Sequence, residues 1–271
     1  MTDFCECGGF LLFTRRNGRG VLRCNSCKEI KPFSSDSQRT YKKLLAEKGI
    51  NKLFYVTDIS NVPSILNSGI FSRNEIKRNN INFRDISFSS VQNVRRKNMR
   101  KNHNMDVHDF ACLFLTPHTP MLRHVCFHQH KDHEVVLLQL DPSLMDKSDK
   151  VYFTDKSCTK NDFNIYNKII YLDQLNWNYL TKDYDFLISG MDSKEKDKFK
   201  GFRGAEILIY EKINTSYIIP TIIAKSQKAK STLSTLLNET KFKNVQINID
   251  NYKFPLRHGS NAYINKMRKY R

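Results

Sequence analysis

Glu206 stands in the run Arg203-Gly204-Ala205-Glu206-Ile207-Leu208-Ile209-Tyr210, where a glycine-bearing segment enters a strand of branched aliphatic residues. A carboxylate drawn into such a strand is costly to desolvate unless it is paired or used. It therefore either faces solvent at a strand edge or is kept for chemistry, stabilising a developing cation or accepting a proton. A second group with chemical potential is cysteinyl. Cys5-Glu6-Cys7 and Cys24-Asn25-Ser26-Cys27 flank a segment that reads as a hairpin turning at Asn17-Gly18-Arg19-Gly20. Two cysteine pairs meeting at the open end of a hairpin offer Zn²⁺ four soft ligands in tetrahedral reach, a closed site that folds its module and does no chemistry. The first pair is C-x-C, one residue shorter than the C-x-x-C knuckle usual in zinc ribbons. His124, Cys126, His128 and His130 alternate, with His133 beyond, and a strand would put the first four on one face. No second ligand group of matching spacing accompanies them.

The chain that must position these groups has 271 residues, enough for one sizeable domain and a small one, and carries 45 Lys+Arg against 27 Asp+Glu. The resulting net charge of +18 favours polyanionic partners such as nucleic acid. No apolar run long enough to span a bilayer and no signal-peptide layout are present, so a soluble, cytoplasmic protein without a membrane partner is expected. An odd number of cysteines, seven, in a reducing compartment argues for metal ligation rather than disulfides.

Residues 1–33 are read as the zinc ribbon and 34–49 as a linker helix running from cap-type serines to Gly49. Leu53–Thr57 is β-rich and Val62–Ile70 a short helix with Pro63 in its first turn. Residues 73–103 are polar and basic, the pattern of a solvated loop whose Arg95, Arg96 and Arg100 suit phosphate. Later strands are expected at Phe110–Leu115, Glu134–Leu140, Lys150–Thr154, Ala205–Tyr210, Tyr217–Ile223 and Asn244–Ile249, and helices at Phe163–Leu180 and Ser226–Leu237. Strands and helices do not alternate regularly, so the class is α+β rather than parallel α/β.

Four separated pieces resemble one family. Tyr55-Val56-Thr57-Asp58-Ile59-Ser60-Asn61-Val62-Pro63, Val91-Gln92-Asn93-Val94-Arg95-Arg96, Thr116-Pro117-His118-Thr119-Pro120-Met121-Leu122 and Ala205-Glu206-Ile207-Leu208-Ile209-Tyr210 follow the order and spacing of the DarT family of DNA ADP-ribosyltransferase toxins. The resemblance spans roughly residues 50–250, taken as a domain over 50–252 with a basic extension at 253–271. It implies a split β-sandwich with flanking helices that clamps NAD⁺ as a consumed substrate. The absence of G-x-G-x-x-G agrees with that and speaks against a hydride carrier. By the same resemblance Glu206 is the catalytic glutamate and Arg95 the second catalytic residue. Tyr55, Thr57, Asn61, Met121 and Leu122 become NAD⁺ contacts, with Tyr55 where the family usually has His. Lys198–Gly204 corresponds to the loop that holds the acceptor base, with Phe202 to stack on it and Arg203, Arg96 and Arg100 to meet nucleic acid.

The implied function is transfer of ADP-ribose from NAD⁺ to a base of single-stranded DNA by the toxin of a toxin–antitoxin or phage-defence system. A DarG-like macrodomain antitoxin would be its partner. The alternatives are an RNA or protein acceptor, or a non-catalytic zinc-ribbon nucleic-acid-binding protein.

Overall fold

The computed structural model describes residues 7, 11–16, 19–32, 39–127, 134–182 and 191–255. They form two compact units, Met1–Thr40 and Tyr41–Arg271. In the small unit β1 (Leu11–Arg16) and β2 (Arg19–Cys24) pair antiparallel with Leu11 opposite Cys24. A third strand, β3 (Ile30–Pro32), which the sequence does not announce, adds to β2. Cys5 lies outside the described residues, as do His128, His130, His133 and residues 256–271 of the basic extension.

The large unit is built on eight strands in the order β13-β12-β7-β4-β6-β10-β8-β9. These are β4 (Leu53–Asp58), β6 (Phe110–Phe114), β7 (Val135–Leu140), β8 (Val151–Thr154), β9 (Ile165–Tyr166), β10 (Glu206–Tyr210), β12 (Ile218–Ala224) and β13 (Gln246–Ile249). A separate two-stranded pair joins β5 (Ile70–Phe71) to β11 (Lys212–Ile213). Only β12 and β13 run parallel; the other neighbours in the sheet are antiparallel, so the sheet is mixed and not the parallel one of an α/β fold. The sheet is nearly two sheets. β4 and β6 are joined at one residue pair, Phe54 opposite Phe114, beyond which their ladder is absent.

Alternation along the strands buries both faces. Val136, Leu138 and Leu140 of β7, Leu113 of β6 and Ile207 of β10 enter one core, while Val135, Leu137, Phe54, Val56 and Phe114 enter a second. On the second face a third, smaller core gathers Met99, Phe110, Cys158 and Leu208. The interval between the second and third cores is where the sheet is split.

Around the sheet pack α1 (Tyr41–Glu47), α2 (Val62–Ser68), α3 (Arg73–Arg78), α4 (Ser89–His103), α5 (Pro120–Phe127), α6 (Leu144–Lys147), α7 (Trp177–Thr181), α8 (Ser193–Arg203) and α9 (Gln227–Asn238). Several differ from expectation. The helix read as a linker occupies only Tyr41–Glu47 and belongs to the large unit, with Leu45 fully buried there and Asp146 accepting from the Tyr41 and Lys42 N–H groups. The segment read as a basic loop carries α3 and α4. The helix expected over Phe163–Leu180 is instead β9, a 3₁₀ segment and α7, because Tyr166 stacks on Tyr171 and Asn176 caps a fresh helix start. The His124–Cys126 alternation lies on α5, and residues two apart on a helix point to opposite sides, so no shared metal face forms there. Among the described residues no helix is long and apolar enough to cross a membrane.

Candidate active site

The inward stripe of α4 is mostly polar: Gln92, Asn98 and the largely buried Arg95 face the protein beside the apolar Met99, while Val91 and Val94 are exposed. A helix patterned this way has no apolar periodicity for a sequence reading to detect. Its C-terminal end is nonetheless well made, with Arg100, Lys101 and His103 in the last turn complementing the helix dipole and Asn104 in the left-handed region at φ 53°. Asn98 anchors it by donating to the carbonyls of Cys158 and Lys160, at 3.1 and 3.4 Å.

Glu206 opens β10 opposite Phe114 of β6, and its N–H donates to Thr154 Oγ1 at 3.0 Å. Gly204, two residues before it, ends α8 against Ser157. A Cβ there would sit 2.8 Å from the serine Cβ, which explains the glycine in the Arg-Gly-Ala-Glu run. The Glu206 side chain is buried and forms an ion pair with Arg95. Arg95 also donates to Gln92 Oε1 at 3.0 Å and to Cys112 Sγ at 3.4 Å, and its Nε has no hydrogen-bond partner among the described residues. Burial opposes the guanidinium charge, but the Glu206 carboxylate together with the neighbouring Cys112 and Cys158 sulfurs more than offsets it, so Arg95 is cationic at any physiological pH. Burial pushes the Cys112 thiol up to about 11 against the pull of Arg95, keeping it protonated.

Two adjoining cavities, of about 250 and 280 Å³, meet at Arg95, Gln92, Phe114 and Met121. Ligand pockets typically measure roughly 300–1,000 Å³. Joined, this pair falls within that range. The first runs into the gap between β4 and β6 and is lined by Tyr55, Val56, Phe110, Ala111 and Cys112 with Arg73, Lys77 and His108. The second contains Glu206, with Phe88, Val91 and Met121 as an apolar wall, His124 beside them and Ser157 and Thr159 as hydroxyls.

Of the residues singled out from sequence, Glu206, Arg95, Tyr55, Met121 and His124 line this paired cleft. The others do not come together with them. Thr57 is fully buried and accepts from Asn61, whose amide also donates to the Arg84 carbonyl and accepts from the Arg84 N–H, so that Asn61 clamps a loop. Leu122 is fully buried in the core. Arg203, expected to meet phosphate, is 3% exposed and donates to the carbonyls of His118, Tyr179, Leu180 and Lys182 at 2.6–3.0 Å. Its guanidinium is spent holding three segments together, and no face is left for nucleic acid. Lys198–Gly204 is the end of α8 rather than a loop, with Phe202 beside Tyr179 and under Lys156. Arg96 and Arg100 are partly exposed and share Asp106. Burial would raise the Asp106 carboxyl, but the hydrogen bonds of Arg96, the His108 N–H and Arg100 hold it at about 2. Sequence reasoning missed Gln92, Cys112 and His108. Cys112 alternates with Phe114 along β6, a signal usable only once the strand's partner is known.

In the small unit the sulfurs of Cys7, Cys24 and Cys27 lie within 4.8 Å of one another, with Cys7 and Cys24 at 3.5 Å. Zn–S bonds of about 2.3 Å at tetrahedral angles put sulfurs just under 4 Å apart. The donor set therefore fits. Although burial opposes it, hydrogen bonds from the backbone at Cys27 and Ser26 lower the Cys24 thiol to about 6, toward the thiolate a metal needs.

A family profile described as DarT, ssDNA thymidine ADP-ribosyltransferase, matches residues 54–254. A curated relative from Thermosipho africanus (strain H17ap60334), a DNA ADP-ribosyl transferase–DNA ADP-ribosyl glycohydrolase fusion protein, is 28% identical over 190 residues, 69% of this chain and 46% of the relative. The chain thus spans about half the length of the curated relative it matches. The solved structure of Thermosipho africanus DarTG in complex with ADP-ribose superposes with a TM-score of 0.62 at 25% identity, over 76% of this chain and 52% of that one. Thermus sp. 2.9 DarT in complex with ADP-ribosylated ssDNA gives 0.60 at 16% identity over 76% and 97%, a likeness of fold.

Proposed function

Since the chain belongs to the DarT family of ssDNA thymidine ADP-ribosyltransferases, we propose that it transfers ADP-ribose from NAD⁺ to a thymine base of single-stranded DNA. The observation that carries this reading is the buried Arg95–Glu206 pair at the junction of two cavities, one of them in the split of the sheet. The split cavity takes the dinucleotide, with the Tyr55, Phe71 and Phe83 rings as walls and Arg73 and Lys77 as cations for its phosphates. The cavity beside Glu206 takes the acceptor base against Phe88, Val91 and Met121, surfaces on which any base can lie.

The glycosidic bond between the ribose and nicotinamide breaks and its electron pair leaves with nicotinamide. The ribosyl carbon acquires oxocarbenium character, which the Glu206 carboxylate stabilises where water is excluded. A ring nitrogen of the base forms the new bond, and its proton passes to Glu206. Arg95 steadies the carboxylate and the negative charge that builds on the base. Thymine must be unpaired to reach this site, because extracting it from a duplex costs unstacking. The net charge of +18 supports a polyanionic acceptor.

Cys7, Cys24 and Cys27, with Cys5 as the fourth ligand, would hold a structural Zn²⁺ whose chemistry is to fold residues 1–33. The protein acts as a cytoplasmic toxin, and the fusion of transferase to glycohydrolase in the Thermosipho africanus relative supports a glycohydrolase antitoxin as its partner. The test is incubation with labelled NAD⁺ and oligonucleotides of single-stranded DNA, double-stranded DNA and RNA. Label on thymine in single-stranded DNA is the expected result. Label confined to RNA, to protein or to no acceptor would refute the assignment.

A further inference from the structure

His108 lies in a single 3₁₀ turn, Val107–Asp109, immediately before β6. The turn is fixed on every side. Asp106 accepts from the His108 N–H at 3.0 Å, Asp109 accepts from Asn74 Nδ2 at 2.6 Å, and the Asp109 carbonyl accepts from the Glu211 N–H at 2.8 Å. The residue is 7% exposed and lines the cavity between β4 and β6, yet neither Nδ1 nor Nε2 has a hydrogen-bond partner among the described residues. Buried polar atoms are rarely left this way, and those that are call for an explanation such as a ligand. Packing alone would be served better by an apolar ring of the same size.

The imidazole is neutral at physiological pH: burial and the cations of Arg73, Arg96 and Arg95, opposed by Asp106, hold it at about 4. A neutral imidazole offers one N–H donor and one lone pair. It is also placed away from the chemistry. β6 begins two residues after His108 and ends at Phe114, and it is Phe114 that pairs with Glu206.

We propose that His108 is a donor-binding residue whose imidazole hydrogen-bonds a polar group of the dinucleotide remote from the reacting ribosyl carbon, fixing how the donor lies in the split of the sheet. The inference rests on the reading of that cavity as the NAD⁺ site. His108 touches the substrate without taking part in bond making or breaking, so its loss weakens donor binding and leaves the chemical step intact.

The test uses the full chain, His108→Phe and His108→Gln. The readouts are initial rates against NAD⁺ concentration with a single-stranded oligonucleotide, and melting temperature with and without NAD⁺. His108→Phe should raise KM for NAD⁺ about tenfold, the value of one hydrogen bond. It should leave kcat within about threefold, abolish most of the NAD⁺-induced rise in melting temperature, and leave the melting temperature without NAD⁺ equal or higher. His108→Gln, which keeps a donor and an acceptor, should recover most of the affinity. A His108→Phe protein with unchanged KM and an unchanged NAD⁺ shift overturns the inference alone. A lower melting temperature without NAD⁺ together with unchanged KM makes the residue structural and overturns it as well. Wild-type protein that neither transfers label nor is stabilised by NAD⁺ overturns the donor-site reading and this inference with it.

Discussion

The carboxylate of Glu206 and the guanidinium of Arg95, 111 residues apart in the chain, form a buried ion pair where a split in the sheet meets an apolar pocket. The pair is costly to desolvate, and the carboxylate favours the charged guanidinium that the proposed chemistry requires.

Glu206→Gln keeps the shape of the side chain and removes its charge. Transfer from labelled NAD⁺ should fall by at least about 10²–10³ in single-turnover assays while NAD⁺ binding changes little. Arg95→Ala should also abolish transfer, and by leaving Glu206 buried without its counter-charge should cost about 3–5 kcal/mol in urea denaturation. The double variant Arg95→Met, Glu206→Leu should regain much of that stability with no activity. A double variant as unstable as Arg95→Ala would show that the pair is not what the single change disrupts.

Arg203 is structural. A lysine at this position cannot reproduce a fork that reaches the carbonyls of His118, Tyr179, Leu180 and Lys182. Arg203→Lys should therefore lose about 3 kcal/mol or more of stability through unsatisfied buried carbonyls. The salt dependence of oligonucleotide binding by the folded fraction should be unaltered. A change in that slope with stability intact would restore a phosphate role.

Of the arginines the sequence assigned to nucleic acid, Arg96 and Arg100 stay partly exposed, and Asp106 holds both. If Arg100 meets a phosphate, Arg100→Ala should lower the slope of log K against log salt by about 0.7 for a single strand. Asp106→Asn should free both guanidinium groups and strengthen binding at low salt. Fluorescence anisotropy across a salt series measures both.

Stability should decline on the acid side in two stages. The folded His108 titrates at about 4 against an ordinary 6.5, so its contribution is full above about 6.5 and is lost as pH falls toward 4, the unfolded chain taking up the proton first. Asp106, held at about 2 against 3.8, contributes above about 3.8 and loses that contribution as pH falls through about 2. Melting temperatures from pH 7 to pH 4.5 should therefore fall less steeply for His108→Phe than for wild type, by the slope of about one proton. Equal slopes would place the titration elsewhere.

Elemental analysis should find about one zinc per chain, as a closed four-cysteine site takes one ion, and Cys24→Ser should lose it. Chelation should unfold residues 1–33 and release their amide-exchange protection while transfer by the large unit survives. Abolished transfer on chelation would tie the metal to the catalytic cleft.

Much of the strand content was legible because branched and aromatic residues alternate or run together where both faces of a sheet are buried; β6, β7, β10 and β12 differ from expectation by a residue or so at their ends. α9 was legible for the same kind of reason, an apolar stripe of Ala229, Leu233 and Leu237 after a capping Ser226. α4 was not, since its buried face is polar but for Met99 and its exposed face carries Val91 and Val94. A helix built to present Gln92 and Arg95 to a cleft inverts the pattern by which helices are read.

By itself, the sequence determined the charge of the protein, the cysteine pairs of its small unit and, through the motif around Glu206, the family to which it belongs. Those are properties of residues close together in the chain or of their sum. The tertiary structure alone decided which expected residues share the cleft. It put Arg95 against Glu206, withdrew Thr57, Asn61, Leu122 and Arg203 into the wall, and left the His108 ring unpartnered at the end of the split. The reason is physical: whether an arginine meets a substrate or saturates backbone carbonyls depends on which distant segments fold around it. That is settled by packing across the sheet, and no local spacing encodes it.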